Sequence, residues 1–186
     1  TALAVVDGAI HLAWSAASTR VAYRRSSDAG ASWGLPRIID GNAVGRFRAW
    51  LAVGGASVVV GYTARAVSGG IPLVYLRRSA DGGATFASRR LVAASSSLPS
   101  REPVVVTSGS TVRVAWAGCT TLDCTTLRLW YRQSGSGGAT WGSPIALTTS
   151  GGARPIGLAA TGRLLVLYAA GRSPTSPAGT VTLRIR

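Results

Sequence analysis

The chain has 186 residues, room for a sizeable core, and no apolar run approaching the ~18–20 residues of a membrane-spanning helix. All 20 basic residues are arginine against six acidic ones, a formal net charge of +14 that favours acidic partners: an anionic glycan, a nucleic acid, an anionic membrane surface or an acidic protein surface. Methionine is absent, so a processed chain or a part of a longer one is expected.

In chain order, the pattern is one unit written several times. "ALAVVDG" enters the first unit inside a strand, and "VAYRRSSDAGASWGLPRII" continues it. "LVYLRRSADGGATFASRRLV" and "LRLWYRQSGSGGATWGSPIAL" follow in register, so that Asp28, Asp81 and Ser136 share one place at spacings of 53 and 55 residues. The intervening stretches "RAWLAVGGASVVVGY", "REPVVVTSGSTVRVAW" and "RPIGLAATGRLLVLY" also align. Each unit reads as four short strands, A to D, rich in β-branched and aromatic residues and separated by Gly/Ser turns. A period slightly above 50 residues with four strands per unit predicts an all-β propeller of antiparallel blades, each burying its faces only against its neighbours. That explains why "SVVVGY" and "RLLVLYAA" are apolar at nearly every position rather than alternating.

The predicted blades are 1–41, 42–95, 96–149 and 150–186, the last stopping in its strand C at "TVTLRIR", which makes about 3.75 blades of a single segment. A six-bladed ring at this period needs about 320 residues. The ring is therefore expected to close with the remainder of a longer chain or with a second copy.

"SSDAGASW" and "SADGGATF", with the degenerate "SGSGGATW", resemble the Asp-box of the sialidase-like β-propellers, also called the BNR repeat. Ser26, Asp28, Gly30, Trp33, Ser79, Asp81, Gly83, Phe86, Ser134, Gly138 and Trp141 carry the resemblance, and a structural role is expected for them. The carboxylate accepts hydrogen bonds from its own turn, the glycine supplies an uncommon backbone conformation, and the aromatic packs into the blade. The resemblance implies that these turns lie on the face opposite the ligand.

On the ligand face of such a propeller lie the D-to-A connections and B-to-C loops. Arg48, Arg101 and Arg154, 53 residues apart, each open a strand A, and are expected to ring the channel mouth. The resemblance implies three arginines holding a substrate carboxylate, for which bidentate guanidinium pairing is the physical reason. An arginine recurring at one blade position also fits strand capping in every blade. A sialidase-like reaction would need a tyrosine nucleophile, a glutamate and an aspartate, for which Glu102, Asp123 and Asp40 are the weak candidates. Tyr62, Tyr168, Trp14 and Trp116 exchange at one position and read as packing. His11 reads as incidental, and Arg24, Arg77 and Arg132 as a solvated face.

Cys119 and Cys124 in "CTTLDC" are spaced for a small-loop disulfide, which implies an oxidising, secreted or cell-surface location. No metal-ligand cluster, phosphate loop or Ser-His-Asp pattern is visible, so neither metal nor cofactor is expected. Nucleic acid is disfavoured, because the arginines are spread over every unit without stacked aromatics. The expectation is a sialidase-like propeller that binds an anionic ligand such as a glycan. The alternatives are a sialidase-type exo-glycosidase of which this is a fragment, and a structural subunit of a surface assembly.

Overall fold

The computed structural model describes residues 1–16, 19–41, 49–66, 69–93, 95–148, 154–161, 163–170 and 180–185; from Arg154 onward it is the strands that are described. The described residues form four antiparallel sheets in chain order and contain no helix, hence none long and apolar enough to cross a membrane.

Sheet 1 contains β1 (Ala2–Val6), β2 (Ala9–Ala16), β3 (Arg20–Ser26) and β4 (Arg37–Asp40). Sheet 2 contains β5 (Trp50–Gly54), β6 (Ser57–Arg65), β7 (Pro72–Ser79) and β8 (Arg90–Leu91). Sheet 3 contains β9 (Ser100–Ser108), β10 (Thr111–Cys119), β11 (Leu127–Ser134) and β12 (Ile145–Ala146), and sheet 4 contains β13 (Arg154–Thr161), β14 (Arg163–Ala170) and β15 (Thr180–Ile185). Strands pair in sequence order, so every connection within a sheet joins antiparallel neighbours as a hairpin does. The fourth strands of sheets 2 and 3 are shorter than the apolar runs predict: β12 pairs only through Trp130↔Ala146 and Tyr131↔Ile145. Two-residue outer strands present little unpaired backbone, which limits edge-to-edge association.

The sheets stack face to face. Between sheets 1 and 2, Ala13, Val21, Tyr23 and Ile39 meet Val58, Val60 and Tyr62. Between sheets 2 and 3, Val59, Val74 and Leu76 meet Val112, Val114 and Trp116. Because β6 lies between two such layers, Ser57 through Ala64 are all buried, which is why its sequence does not alternate. The first strands touch in succession, β1 on β5, β5 on β9 and β9 on β13, so they form the inner row and β4, β8 and β12 the outer one.

One layer of sheet 1 is left half open. Ile10, Leu12 and Trp14 occupy the places of Val58, Val60 and Tyr62, yet they are only half-buried, and Leu3 and Val5 beside them are 62% and 59% exposed. Strand β9 carries a bulge in which Glu102 and Pro103 together oppose Trp116, with Glu102 in the left-handed region at φ 56°. Strand β13 bulges at the corresponding place, between Pro155 and Gly157.

Candidate functional site

Antiparallel pairing puts the turns after β3, β7 and β11 at one end of the sheets, and the loops after β2, β6 and β10 at the other. At the first end the three repeated turns share one bonding scheme. Asp28 accepts hydrogen bonds from Ser26 Oγ (2.7 Å), the Ser32 amide (2.9 Å) and Ser32 Oγ, while the Gly30 amide donates to Ser26 Oγ at 2.8 Å. Asp81 repeats this with Ser79 and Thr85, and the Gly83 amide donates to Ser79 Oγ at 2.7 Å. In the third turn Ser136 Oγ accepts from the Thr140 amide at 2.8 Å, and the Gly138 amide donates to Ser134 Oγ at 2.8 Å. A hydroxyl thus reproduces part of the loop without the charge. Phe86 packs edge-on against Tyr23 with ring centroids 5.0 Å apart, and Trp141 packs at the sheet 2–sheet 3 core.

These hydroxyl and amide donors stabilise the ionised carboxylates, lowering the Asp28 pKa to about 2 and holding Asp81 lower still. A lowered folded-state pKa contributes stability that is complete above the ordinary carboxylate value near 4 and is lost as pH falls through the folded value. The midpoint of thermal unfolding is therefore expected to drop between about pH 4 and pH 2. Asp28→Asn/Asp81→Asn should unfold a few degrees lower at neutral pH and show a shallower acid dependence. Parallel profiles from circular dichroism melts would remove the carboxylates from this role.

Two sequence expectations at this end change. Arg24 and Arg132 are not a solvated face: their Nε atoms donate to Gly34 O (2.6 Å) and Gly142 O (2.8 Å), bracing the turn from the strand before it. His11 is not incidental either. It is 3% exposed and shares a 2.7 Å hydrogen bond with Tyr23 Oη; burial first, and then the Arg25 charge, lower its pKa.

At the opposite end, Arg101 lies second in β9, opposite Ala117, beside the loop closed by the Cys119–Cys124 disulfide. Its Nη2 donates to Cys119 Sγ at 3.5 Å and to Cys124 Sγ. Asp123 sits within that loop, exposed, and accepts from the Thr121 hydroxyl and from the Thr125 amide and hydroxyl, which lower its pKa. Arg154 opens β13 opposite Ala169, matching Arg101 opposite Ala117 in backbone register. The side chain of Arg154, and Arg48 altogether, lie outside the described residues.

Asp40 ends β4 at this same end and is buried between sheets 1 and 2. Tyr62 Oη donates to its Oδ2 at 2.9 Å, and Arg89 Nη1 pairs with the same oxygen at 3.3 Å. Arg89 also donates to the Arg65 and Ala66 carbonyls and lies over the Tyr75 ring, its guanidinium carbon 4.9 Å from the centroid. Burial and the Asp40 charge push the Tyr62 phenol far above its ordinary value, so it acts as a neutral donor. The arrangement latches two sheets together. Sequence reasoning missed this latch because Arg89 carries no motif and its partner is 49 residues away.

No protein-family profile matches the chain, and no curated protein matches it. Solved structures do. An α-L-arabinofuranosidase from Fusarium graminearum, solved with an iminosugar inhibitor, is 16% identical and matches all of this chain over 61% of its own length, with a TM-score of 0.63. An α-L-arabinanase from Penicillium chrysogenum bound to arabinobiose is 14% identical, with the same coverage and TM-score. A Trypanosoma rangeli sialidase bound to sialic acid is 16% identical over 91% of this chain and 33% of its own, with a TM-score of 0.52. The chain therefore spans about three fifths of the arabinan-acting proteins and a third of the sialidase. Sialidases are one group among the neighbours rather than the whole of them. At these identities the likeness is one of fold: stacked antiparallel sheets of the kind from which β-propeller glycoside hydrolases are built.

Proposed function

We propose that this chain is the glycan-recognising part of a β-propeller protein, secreted or held at the cell surface, and that it binds an acidic glycan without hydrolysing it. Arg101 carries the reading. The bulged strand β9 holds its guanidinium beside the disulfide loop with sulfur atoms as its partners, which leaves its positive charge uncompensated by those contacts. Arg48 and Arg154 stand 53 residues to either side of it in the repeat, and a glycan carboxylate is the ligand chemistry that such an arginine set would match. The fold likeness to glycoside-acting proteins supports a glycan, and the disulfide supports an oxidising location. The half-open Ile10–Leu12–Trp14 layer is the seat of a further blade, supplied by the remainder of a longer chain or by a second copy.

Binding is favoured over hydrolysis by the state of the candidate acids. Asp40 is buried with one carboxylate oxygen taken up by Tyr62 and Arg89, and Asp123 is tied into its own loop with a lowered pKa, the opposite of what a general acid needs. The second reading, a glycosidase of which this is one part, rests on the enzymes among the fold neighbours. A structural subunit is the third.

Titration with a sialylated trisaccharide tests the first reading. Affinity should fall as salt rises, and Arg101→Ala should weaken it about tenfold, with Arg101→Lys intermediate. Hydrolysis of a fluorogenic sialoside or arabinofuranoside, abolished by Arg101→Ala, would establish the enzyme instead. Neither binding nor turnover would leave the structural role.

A further inference from the structure

The end of the sheets that carries the aspartate turns has its own charged relief, away from Arg101. A groove of about 590 Å³ runs between the turns of sheets 1 and 2, lined by Arg25, Arg37, Ser32 and Gly83 among others. A second, of about 360 Å³, runs between the turns of sheets 2 and 3, lined by Arg78, Arg90, Thr85 and Gly138. The lining residues correspond: Arg25 with Arg78, Arg37 with Arg90 and Ser32 with Thr85, each pair 53 residues apart.

In each groove one arginine is fixed and the other is exposed. Arg25 Nη1 donates across the sheet boundary to Gly82 O at 3.1 Å, while its Nε is buried with no hydrogen-bond partner. Arg78 is held by Ser57 Oγ at 3.0 Å and packs so tightly on Gly137 that a side chain there would collide with its guanidinium. Arg37 and Arg90 are exposed at the outer wall. Among the described residues, neither Asp28 nor Asp81 ion-pairs with these arginines, since both carboxylates are turned into their own loops. In the third unit the aspartate is Ser136, and the two arginine places hold Gln133 and Ile145. The arginine pair and the acidic turn are therefore present together in two units and absent together in the third.

We propose that these two grooves form a binding surface for an acidic polysaccharide, one that carries sulfate or carboxylate groups on successive sugars. Each groove takes one anionic group between its fixed and its exposed arginine, and the polymer spans both because they sit one blade apart on one face. The linings favour a polysaccharide over a nucleic acid. The Ser32 and Thr85 hydroxyls donate to Asp28 and Asp81 and keep lone pairs that accept from sugar hydroxyls, whereas the turn aromatics give bases no stack: Arg24 lies over Trp33, and Phe86 packs inward on Tyr23. The class of polymer rests on the glycan reading above; the anion and its location rest on the grooves alone.

Affinity for heparin and for polygalacturonate at fixed salt, with the intact chain, tests the proposal and tells sulfate from carboxylate. Arg37→Ala/Arg90→Ala removes exposed side chains without touching the core, and should weaken binding to the preferred polymer about tenfold. The charge-matched control Arg20→Ala/Arg113→Ala should change it less than about threefold. A sulfated tetrasaccharide should bind more weakly than the polymer by a factor of at least about ten. Equal losses in the two double variants would overturn the site in favour of diffuse attraction to a +14 chain. Equal competition by a single-stranded oligonucleotide of matched charge would overturn the polysaccharide. Arg101→Ala should leave polymer binding intact, so loss of trisaccharide binding there and loss of polymer binding here report separately on the two faces.

Discussion

Replacing Trp116 by alanine is expected to cost about 3–5 kcal/mol, the range for truncating a large buried aromatic. The side chain is fully buried in the layer between sheets 2 and 3, packed among Val59, Val74, Leu76 and Val114. The bulge at Glu102–Pro103 lies directly opposite it, so a cavity there also loosens the strand that carries Arg101. For a chain of this size the loss corresponds to a melting temperature lower by roughly 6–20 °C. Trp14 is the control, because it fills the same repeat position on the half-open layer of sheet 1. Trp14→Ala should cost no more than about 1–2 kcal/mol, since its apolar surface is still partly in water. Urea titrations compare the two directly. Equal costs would mean that the Trp14 layer is already as well packed as the inner ones, and that no further blade is needed to bury it.

That contrast marks how much of the molecule is written locally. The recurrence of Asp28, Asp81 and Ser136 gives the unit length, and the unbroken apolar run of β6 reveals a strand covered on both faces. Both are patterns of neighbouring residues, visible without coordinates. The outer strands β8 and β12 were harder to read, because only two residues of each form the strand, and the apolar residues that follow, Val92 and Leu147, are each tied to the neighbouring strand by a single backbone hydrogen bond, to Val74 O and Leu129 O. The polar contacts between sheets were not legible at all. Arg25 reaches Gly82 across 57 positions, and Arg89 reaches Asp40 across 49, so each depends on how neighbouring blades dock rather than on any local motif. One signal was available: Arg25 and Arg78 stand three residues before their aspartates, and the third unit has Gln133 there. At the end opposite the aspartate turns the matched register of Arg101 and Arg154 follows from the repeat, whereas the contact of Arg101 with sulfur needed the fold of the disulfide loop.

Gly83→Ala is expected to be nearly as damaging as Trp116→Ala, for a different reason. Gly83 has φ 92°, and the Tyr23 ring of sheet 1 lies against it so closely that an added Cβ would fall 2.6 Å from Cζ and 2.9 Å from Cε1. Positive φ costs an alanine about 1–2 kcal/mol, and overpacking adds about 1–3 kcal/mol. Tyr23 cannot swing away without leaving His11, to which it is hydrogen-bonded, and Phe86, against which it packs. The third unit shows how the clash is eased: Gly138, at φ 88°, faces Leu76 rather than a tyrosine, and a Cβ there would lie 3.3 Å from Cδ1, a tight contact that a small shift of the leucine end relieves. In a Tyr23→Leu background, Gly83→Ala should therefore cost only the backbone part, about 1–2 kcal/mol. The difference between the two costs is the coupling energy of the pair, read from a double-mutant cycle in urea. A Gly83→Ala cost that is the same in both backgrounds would show that backbone strain alone keeps glycine at this position. A coupling above about 1 kcal/mol would show that the turn is also shaped by the neighbouring blade, and hence that the aspartate turns set the docking of one sheet on the next.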